Sequence, residues 1–342
     1  MKRSLLLINY RSASLAIDAI RTARASSSQP LQVVAVDNST DASEARALGP
    51  VADVVIAAPR NLGYAGGINA GRRACDGDVI IVTNPDVRFG GNAIDALVDT
   101  DAAVAGPALF WDEGYAWRLP PAELHTARQV ASRTLASRSR AWARARDRRR
   151  FFARVTFWSL AVPSRVRTLS GAVLAIKAKA FDDAHGFDER FQLYFEENDF
   201  LRRVAGDIVY VPAARCHHLY NQSAGESPES AALYAQSENQ YLRKWGGGFA
   251  KLFERRRDSP VPTIATDGMH QGGPRIFSDD VVLEASPLPT FETAAGHFAT
   301  GSISDVPDDV WRAYRGNVLY LRAVDRRSGR VLESWAKARI PV

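Results

Sequence analysis

The N-terminal part of the chain alternates short apolar runs with helical patterns, and this alternation constrains the fold more than any other feature. Apolar runs at residues 4–9, 31–36, 54–57 and 79–82 predict strands, and residues 65–74 predict a helix that opens on glycines. Strands that alternate with helices form a largely parallel sheet with helices on both faces. The sequence therefore predicts an α/β domain whose ligands bind beyond the carboxyl ends of the strands.

Polar side chains follow three of these strands at the edge where ligands are expected. The first run ends in Asn9 and Tyr10, the second in Asp37, and the fourth in Asn84 followed by Asp86. Turn chemistry alone favours Asn, Asp and Pro at such positions. A carboxylate beside a rigid proline also suits a hard divalent cation, and strand-end acids bind nucleosides in nucleotide-binding sheets. Convergence of three strand ends on one edge favours a ligand site.

A glycine-rich stretch at residues 61–71 lies between the strands that end in Asp37 and Asp86. Such a stretch lets the backbone approach a ligand closely and lets a helix N-terminus face phosphate. It is not a Walker A loop, because no Gly-Lys-Ser/Thr follows. It is not a dinucleotide fingerprint either, because it does not follow the first strand.

Three acids occupy four positions at Glu196, Glu197 and Asp199, within an aromatic segment that spans residues 186–200. Acids so close together repel one another unless a metal, a cation or a proton relieves the repulsion. They also fit the N-terminus of a helix that runs to Arg203, where acids complement the helix dipole. The two interpretations are compatible, and both stay open at this point.

Residues 128–154 are dense in arginine and include Trp142. A basic helix bordered by aromatic residues is suited to an anionic membrane surface. A solvated helix face, a mobile loop or a site for a phosphate-bearing acceptor would have the same composition. No window reaches the ~20 apolar residues of a membrane-spanning helix, so any membrane contact would be peripheral. Nucleic acid is not an expected partner, because these residues do not follow a recognised nucleic-acid fold.

The chain has 342 residues, 46% of them apolar, which is enough for a large domain and a small one. We predict a catalytic domain at residues 1–257, a Pro- and Gly-rich linker at 258–274 and a small β-rich domain at 275–342. Its two cysteines have no metal-binding or CxxC spacing, which favours a reducing compartment. The expected location is cytoplasmic, with peripheral contact at the inner face of the membrane.

Taken in order, these segments resemble the inverting family 2 glycosyltransferases of the GT-A fold, especially the rhamnosyltransferase-like branch that uses dTDP-rhamnose. The resemblance covers residues 1 to about 250, and it is carried by residues 8–10, 36–39, 61–71, 83–86, 169–172 and 186–199, with His218 and Ser223. It implies a Rossmann-like, mixed, mostly parallel sheet flanked by helices. The small C-terminal β-rich domain would be an addition to that fold.

The resemblance also implies site residues. Asp37 would bind the nucleobase of a dTDP- or UDP-sugar, while Asp86 and His218 would hold Mg²⁺ or Mn²⁺. Glu197 stands where the family has its catalytic Asp, with Asp199 as the reserve base. Glu196 completes the catalytic cluster. The other donor-binding residues would be Asn9, Tyr10, Asn61, Gly63, Gly67, Asn69 and Asn84.

The implied activity moves a sugar from a nucleotide diphosphate to a hydroxyl of a glycan or lipid-linked acceptor, in cell-surface polysaccharide assembly. Trp117 would stack on a sugar face or pack inside the protein. A catalytically inactive binding module is the first alternative, because Glu197 departs from the family's Asp. A sugar nucleotidyltransferase is the second, although it would usually place a Gly-rich loop with Lys or Arg after the first strand. The oligomeric state stays open.

Overall fold

The structure is a computed structural model that describes residues 1–219, 228–246, 280–299 and 305–339. The elements are β1 (Arg3–Asn9), α1 (Ala13–Ala25), β2 (Leu31–Asp37), α2 (Ala42–Leu48), β3 (Val54–Ala57), α3 (Gly63–Arg72), β4 (Val79–Thr83), β5 (Val87–Phe89), α4 (Ala93–Val98), β6 (Val104–Phe110), α5 (Ala127–Arg138), α6 (Arg140–Trp158), β7 (Ser164–Arg165), β8 (Val173–Lys177), α7 (Ala178–Asp183), α8 (Glu196–Arg203), β9 (Ile208–His218), α9 (Pro228–Trp245), β10 (Val281–Ser286), β11 (Ala295–Phe298), α10 (Asp308–Ala313), β12 (Val318–Asp325) and β13 (Val331–Ala338). Within the described ranges, no helix is both long enough and apolar enough to cross a membrane.

The chain divides into two compact units. The first comprises Met1–Ala108, Ala122–Ala127 and Ala161–Arg257, and the second comprises Leu109–Pro121, Arg128–Leu160 and Asp258–Val342. The second unit thus joins two segments from the middle of the chain to the C-terminal residues. The linker predicted at 258–274 lies outside the described residues, as does Ser223, so the predicted domain limits stay a prediction.

A mixed sheet forms the core of the first unit. Its strand order is β3-β2-β1-β4-β8-β6-β9-β5, with β7 beside β9. β1 runs parallel to β2 and β4, and β2 runs parallel to β3. β8 is antiparallel to β4 and β6, and β9 is antiparallel to β5. All residues of β1 and β4 are buried, as expected for strands covered on both faces. The predicted mixed α/β sheet with flanking helices is confirmed.

One strand is much longer than the sequence indicated. The apolar pattern predicted a strand at residues 208–211, whereas β9 runs from Ile208 to His218. Pro212 hides the continuation, because a proline within a run argues against a central strand. Distant parts of β9 pair with different partners, Tyr210 with Ser164 and His218 with Val87. Because β9 is this long, it reaches β5 at the edge of the sheet and places His218 there.

The second unit contains an antiparallel sheet in the order β11-β10-β12-β13. The apolar patterns at residues 281–284, 318–324 and 330–335 predict three strands, and these are present as β10, β12 and β13. β11 has no strand pattern in the sequence, because Ala295-Gly296-His297-Phe298 contains no β-branched residue. The predicted β-rich character of the C-terminal part is confirmed.

The arginine-rich helix α6 belongs to the core of this second unit. Its side chains Phe151, Val155 and Trp158 cluster with Val282 and Val324 of the sheet. A helix that buries one apolar stripe in this way is amphipathic, despite its high charge. The arginine-rich segment 128–154, for which the sequence left both a helix and a mobile loop open, is therefore helical and partly a structural element.

A buried ion network fastens α6 to the sheet. Arg154 Nε donates to Glu284 Oε1 over 2.7 Å, and Arg322 Nε donates to Glu284 Oε2 over 2.7 Å. The other nitrogens of Arg322 donate to both carboxylate oxygens of Asp147, at 2.7 and 2.9 Å. Glu284 is fully buried. Glu284 neutralises two guanidinium groups that are buried away from water, so the network depends on its negative charge.

Glu284→Gln tests this network. The substitution leaves the buried Arg154 without a carboxylate, so we expect the free energy of unfolding of the second unit to fall by about 3–5 kcal/mol. Chemical denaturation would measure the loss. The matched control is Asp280→Asn, which breaks a surface pair with Arg327 and costs at most about 1 kcal/mol. Equal losses in the two variants would contradict the prediction.

Candidate active site

The pairing of β5 with β9 brings Asp86 and His218 together. Val87 lies opposite His218 in the ladder, and the backbone N–H of Leu219 donates to the carbonyl of Asp86 over 3.0 Å. His218 Nε2 lies 3.3 Å from Asp86 Oδ1. Both residues are buried. The two residues predicted to hold a metal are thus neighbours, although 132 positions separate them in the sequence (218 − 86).

A strained turn sets the start of the acidic helix. Tyr194 and Phe195 adopt left-handed conformations, with φ of 71° and 69°, which cost non-glycine residues about 1–2 kcal/mol each. The aromatic cluster of Phe191, Phe195 and Tyr241 encloses this turn, and Tyr194, Tyr234 and Trp245 pack against it. α8 then begins at Glu196 and ends at Arg203. The helix predicted from the acidic cluster is therefore present.

The two glutamates at the start of α8 are held in a poorly solvated environment. Burial, reinforced by the neighbouring charge of Glu197, raises the pKa of Glu196 well above its ordinary value. Burial also raises the pKa of Glu197, while Asn198 Nδ2 opposes this effect by donating to Glu197 Oε1 over 2.8 Å. Glu196 Oε2 is buried and accepts no hydrogen bond from any described residue. The pair favours a proton or a nearby cation.

Tyr64, which the sequence reasoning did not single out, links these acids. Burial raises its pKa well above the ordinary value, and the charges of Glu196, Glu197 and Asp86 raise it further. The phenol hydroxyl donates to the carbonyl of Gly171 over 3.2 Å. The three acids therefore act on the hydroxyl of one half-buried tyrosine. The only sign in the sequence is an aromatic residue inside a glycine-rich helix start.

Gly171 and Asn84 explain how the sheet assembles the acids. A Cβ on Gly171 would lie 3.2 Å from Glu197 Cβ, so Glu197 packs directly on this glycine. One residue further, the carbonyl of Ala172 accepts from the backbone N–H of Asn84 over 2.9 Å. Thr83 pairs with Val173 in the β4–β8 ladder. This ladder brings the segment before Asp86 beside the segment that supports Glu197.

Asp199 has a different environment from the two glutamates. Its Oδ1 accepts from Trp245 Nε1 at 2.8 Å and contacts Lys244 Nζ at 2.6 Å, and its Oδ2 accepts from Arg203 Nε at 2.9 Å. The side chain is fully buried. Asp199 thus connects α8 to α9 through Lys244 and the Trp245 indole, and it pairs with Arg203 within α8.

The end of β2 carries a second polar centre. Asp37 Oδ1 accepts from Asn9 Nδ2 at 3.0 Å and from the backbone N–H of Ser39 at 3.1 Å. Its Oδ2 accepts from the Ser39 hydroxyl at 2.8 Å. Asn9 also donates to Glu44, whereas Tyr10 is exposed beside them. The strand ends predicted to bind the nucleoside therefore converge at this edge.

The glycine-rich helix α3 joins the second polar centre to the acidic segment. Gly63 has φ of +72°, and a Cβ there would lie 2.8 Å from the carbonyl oxygen of Gln192. Its N–H donates to Asn61 Oδ1 over 2.9 Å, and the next N–H, of Tyr64, donates to Gln192 over 3.0 Å. A Cβ on Gly67 would lie 3.1 Å from Asn38 Nδ2. Close approach of the backbone at Gly63 and of side chains at Gly67 accounts for these glycines.

Asn69 extends the same connection. Its Nδ2 donates to the carbonyl of Phe187 at 2.8 Å and to Glu189 Oε1 at 2.9 Å, while its Oδ1 accepts from the N–H of Phe187 at 2.9 Å. The amide is thereby committed to holding the segment that precedes α8.

Trp117, in the second unit, is fully buried and stacks on His297 at a centroid distance of 5.6 Å. Of the two roles expected for Trp117, the structure shows packing inside the protein.

Asp86 and His218 have the chemistry of a divalent metal site with few protein ligands. No cluster of three or more His, Cys, Asp or Glu side chains suited to a metal occurs among the described residues. Mg²⁺ and similar ions are commonly held by one or two carboxylates together with substrate phosphates. Asp86 and His218 lie close together, and Glu196 and Glu197 add negative charge to their surroundings. This arrangement fits such an ion.

The comparisons identify the family. The protein-family model described as glycosyl transferase family 2 matches residues 4–150 of the chain. The N-acetylglucosaminyl-diphospho-decaprenol L-rhamnosyltransferases of two Mycobacterium tuberculosis strains are 30% identical over 240 residues, which cover 63% of this chain and 74% of theirs. The protein thus belongs to the family 2 glycosyltransferases.

Solved structures agree on the fold. The crystal structure of GalNAc-T7 with UDP, GalNAc and Mn²⁺ is similar, with a TM-score of 0.51 and 13% identity over 74% of this chain. This chain covers 49% of the GalNAc-T7 chain. The predicted GT-A fold is confirmed.

Glu196→Gln tests the electrostatics of the site. Because burial raises the pKa of Glu196 in the folded protein, the cost of its charge appears as pH rises above the unfolded-state pKa. We expect the variant to raise the free energy of unfolding of the metal-free protein by about 1 kcal/mol at about pH 8 and to change it little at about pH 4. Thermal unfolding at both pH values measures this. Glu189→Gln, at an exposed position of the same segment, is the control, and destabilisation by Glu196→Gln at the higher pH would contradict the prediction.

Proposed function

We propose that the protein transfers rhamnose from dTDP-rhamnose to a hydroxyl of a lipid-linked glycan, with inversion at the anomeric carbon, in cell-surface polysaccharide assembly. The observation that carries the proposal is the convergence of Asp86, Glu196 and Glu197 on Tyr64, with His218 beside Asp86. The name of the mycobacterial relatives supports both the sugar and a polyprenyl-diphosphate acceptor. Direct assay of rhamnose transfer to such an acceptor tests it.

The donor would bind along the edge formed by β1, β2 and β4. Asp37, oriented by Asn9 and Ser39, would accept hydrogen bonds from the base, and the exposed Tyr10 would border it. Asn84 would lie beside the diphosphate. Asn61, Gly63, Gly67 and Asn69 contribute indirectly, because they hold α3 and the acidic segment in place. A UDP-sugar would use the same edge.

Asp86 and His218 would hold Mg²⁺ or Mn²⁺, and the UDP and Mn²⁺ of the GalNAc-T7 crystal support this assignment. When bound, the metal would neutralise the charge of the departing diphosphate. The protein's own contribution is to keep the two ligands adjacent through the β5–β9 pairing. The surrounding burial would strengthen their attraction for the ion.

Glu197 is the proposed catalytic base. Its side chain is partly exposed, Asn198 orients it, and poor solvation raises its pKa above that of an ordinary Glu, which makes it a stronger general base. Glu196 is more deeply buried, and Asp199 is engaged by Arg203, Lys244 and Trp245. Glu197 would take the proton of the acceptor hydroxyl as the new C–O bond forms and the bond to diphosphate breaks.

Peripheral contact with the membrane through residues 128–154 is part of the same proposal, because a lipid-linked acceptor is presented at a bilayer. A cytoplasmic protein at the inner face would have access to both substrates. The free, buried state of Cys75 and Cys216 is compatible with that reducing compartment.

Glu197→Gln keeps the size of the side chain but removes the base. We expect kcat to fall by about 10²–10⁴-fold, since general bases contribute that much, while donor affinity changes little. Steady-state kinetics with donor and acceptor measures both. In the unsubstituted protein, the acid limb of the kcat/KM profile should lie above the pKa of an ordinary Glu, because activity is lost as pH falls through the raised pKa.

The matched control is Glu113→Gln, which changes an exposed glutamate outside the site and should leave kcat within about twofold. Wild-type transfer by Glu197→Gln would remove Glu197 from the mechanism. If the unsubstituted protein binds donor but transfers no sugar to any tested hydroxyl acceptor, the inactive binding module becomes the correct description.

Donor and metal binding can be measured together by thermal shift. With dTDP-rhamnose and Mn²⁺ each at about 100 times its dissociation constant, binding should stabilise the protein by roughly 2.7 kcal/mol per site. Chelator or Asp86→Asn should abolish most of this gain. Asp183→Asn, a half-exposed acid elsewhere in the first unit, should retain it, and a full donor shift in excess chelator would contradict metal dependence.

A further inference from the structure

The arginines of α6 form two rows on opposite sides of the helix. Arg146, Arg150 and Arg154 are spaced four residues apart, and all three are held inside the second unit. Arg146 pairs with Glu292, Arg150 Nη2 donates to the carbonyl of Glu292 over 2.7 Å, and Arg154 pairs with Glu284. This inner row therefore has its charge neutralised or hydrogen-bonded by the protein itself.

The outer row consists of Arg140, Arg144 and Arg148, again spaced four residues apart, and all three are exposed. None of them has an acidic partner among the residues that the structure describes, and Arg148 only lies over the ring of Phe152, at 5.7 Å. Like charges four residues apart on a helix repel and destabilise it. An external anion would remove that repulsion.

Exposed apolar side chains lie at the same end of the helix. α5 and α6 are joined by Ser139 alone, whose hydroxyl accepts from the N–H of Trp142 over 3.3 Å. The Trp142 indole reaches back to α5, where Nε1 donates to the carbonyl of Ser132 over 3.1 Å. Trp142 is nevertheless 43% exposed and Leu135 is 49% exposed. The tip of this helical hairpin thus presents two large apolar groups next to the outer row.

We infer that the hairpin tip and the outer row form a docking surface for an anionic lipid bilayer. The docking surface comprises Leu135, Trp142, Arg140, Arg144 and Arg148. Arginines would pair with lipid phosphates while the indole and leucine enter the boundary between headgroups and acyl chains. A nucleic acid or an acidic peptide would match the charges but would leave Leu135 without an apolar environment. The inference rests on the peripheral membrane contact of the proposed function and names the residues that make it. Lipid binding is measured without sugar transfer, so failure of the surface and failure of the transferase proposal are distinguishable.

Vesicle flotation of the full-length protein tests the surface. The vesicles contain either phosphatidylcholine alone or equal parts of phosphatidylcholine and phosphatidylglycerol. We expect binding to the anionic vesicles only, and weaker binding at high salt. The triple variant R140Q/R144Q/R148Q should bind about 100-fold more weakly, since each basic residue at an anionic surface contributes several-fold to affinity.

The matched control is R21Q/R165Q/K179Q, which removes the same charge from exposed positions of the first unit and should bind like the unsubstituted protein. Trp142→Ala should weaken binding to anionic vesicles, and Trp142→Phe should restore most of it. Thermal unfolding confirms that each variant is folded.

Equal losses in the two triple variants would overturn the inference, because net charge alone would then explain the binding. So would equal binding to neutral vesicles, no binding to either kind, or an outer-row variant that binds as well as the parent. Tight retention on nucleic acid without retention on anionic vesicles would also overturn it.

Discussion

The placement of two adjacent glutamates at the start of α8, Glu196 buried and Glu197 half-buried, is the constraint on which the rest of the first unit depends. Neighbouring carboxyls in a poorly solvated site are unfavourable in their charged form, and their pKa values are raised accordingly. The fold maintains this arrangement by a left-handed turn at Tyr194 and Phe195, which an aromatic cluster holds in place. A metal ion or a transferring proton can lower the free-energy cost of the charged carboxyls in such a site.

Much of the fold follows from local sequence patterns. The apolar runs that became β1, β2, β3 and β4 are continuous and strongly apolar, so their positions were predicted to within a residue or two. β9 was recognised only in part, because Pro212 interrupts a strand whose pairing partners lie far away in the chain. Strand length in that case is decided by tertiary contacts, which a local pattern does not contain.

The residues of the candidate site could be singled out from the sequence, but their separate environments could not. Strand-end polarity and the acidic cluster indicated Asp86 and the acids of α8, and the structure brings Asp86 and His218 into contact. The different environments of Glu197 and Asp199 were not predictable, because the partners Lys244 and Trp245 come from α9, more than 40 positions further on. The two rows of α6 were also unpredictable as such. The spacing of four was visible in the sequence, but the inner row differs from the outer through Glu284 and Glu292, which lie far along the chain.

Because a helix turns by about 100° per residue, Glu197 and Asp199 point in nearly opposite directions from α8. Glu197 packs on Gly171, while Asp199 faces α9. The strained turn before Glu196 therefore fixes the rotation of α8 about its own axis. Insertion or deletion of one residue there would rotate a different side chain towards Gly171, whereas exchange of Glu for Asp at position 197 alters only the reach of the carboxylate. A different acid at position 197 can thus keep the same geometry of the turn, whereas a change in loop length would place a different residue against Gly171.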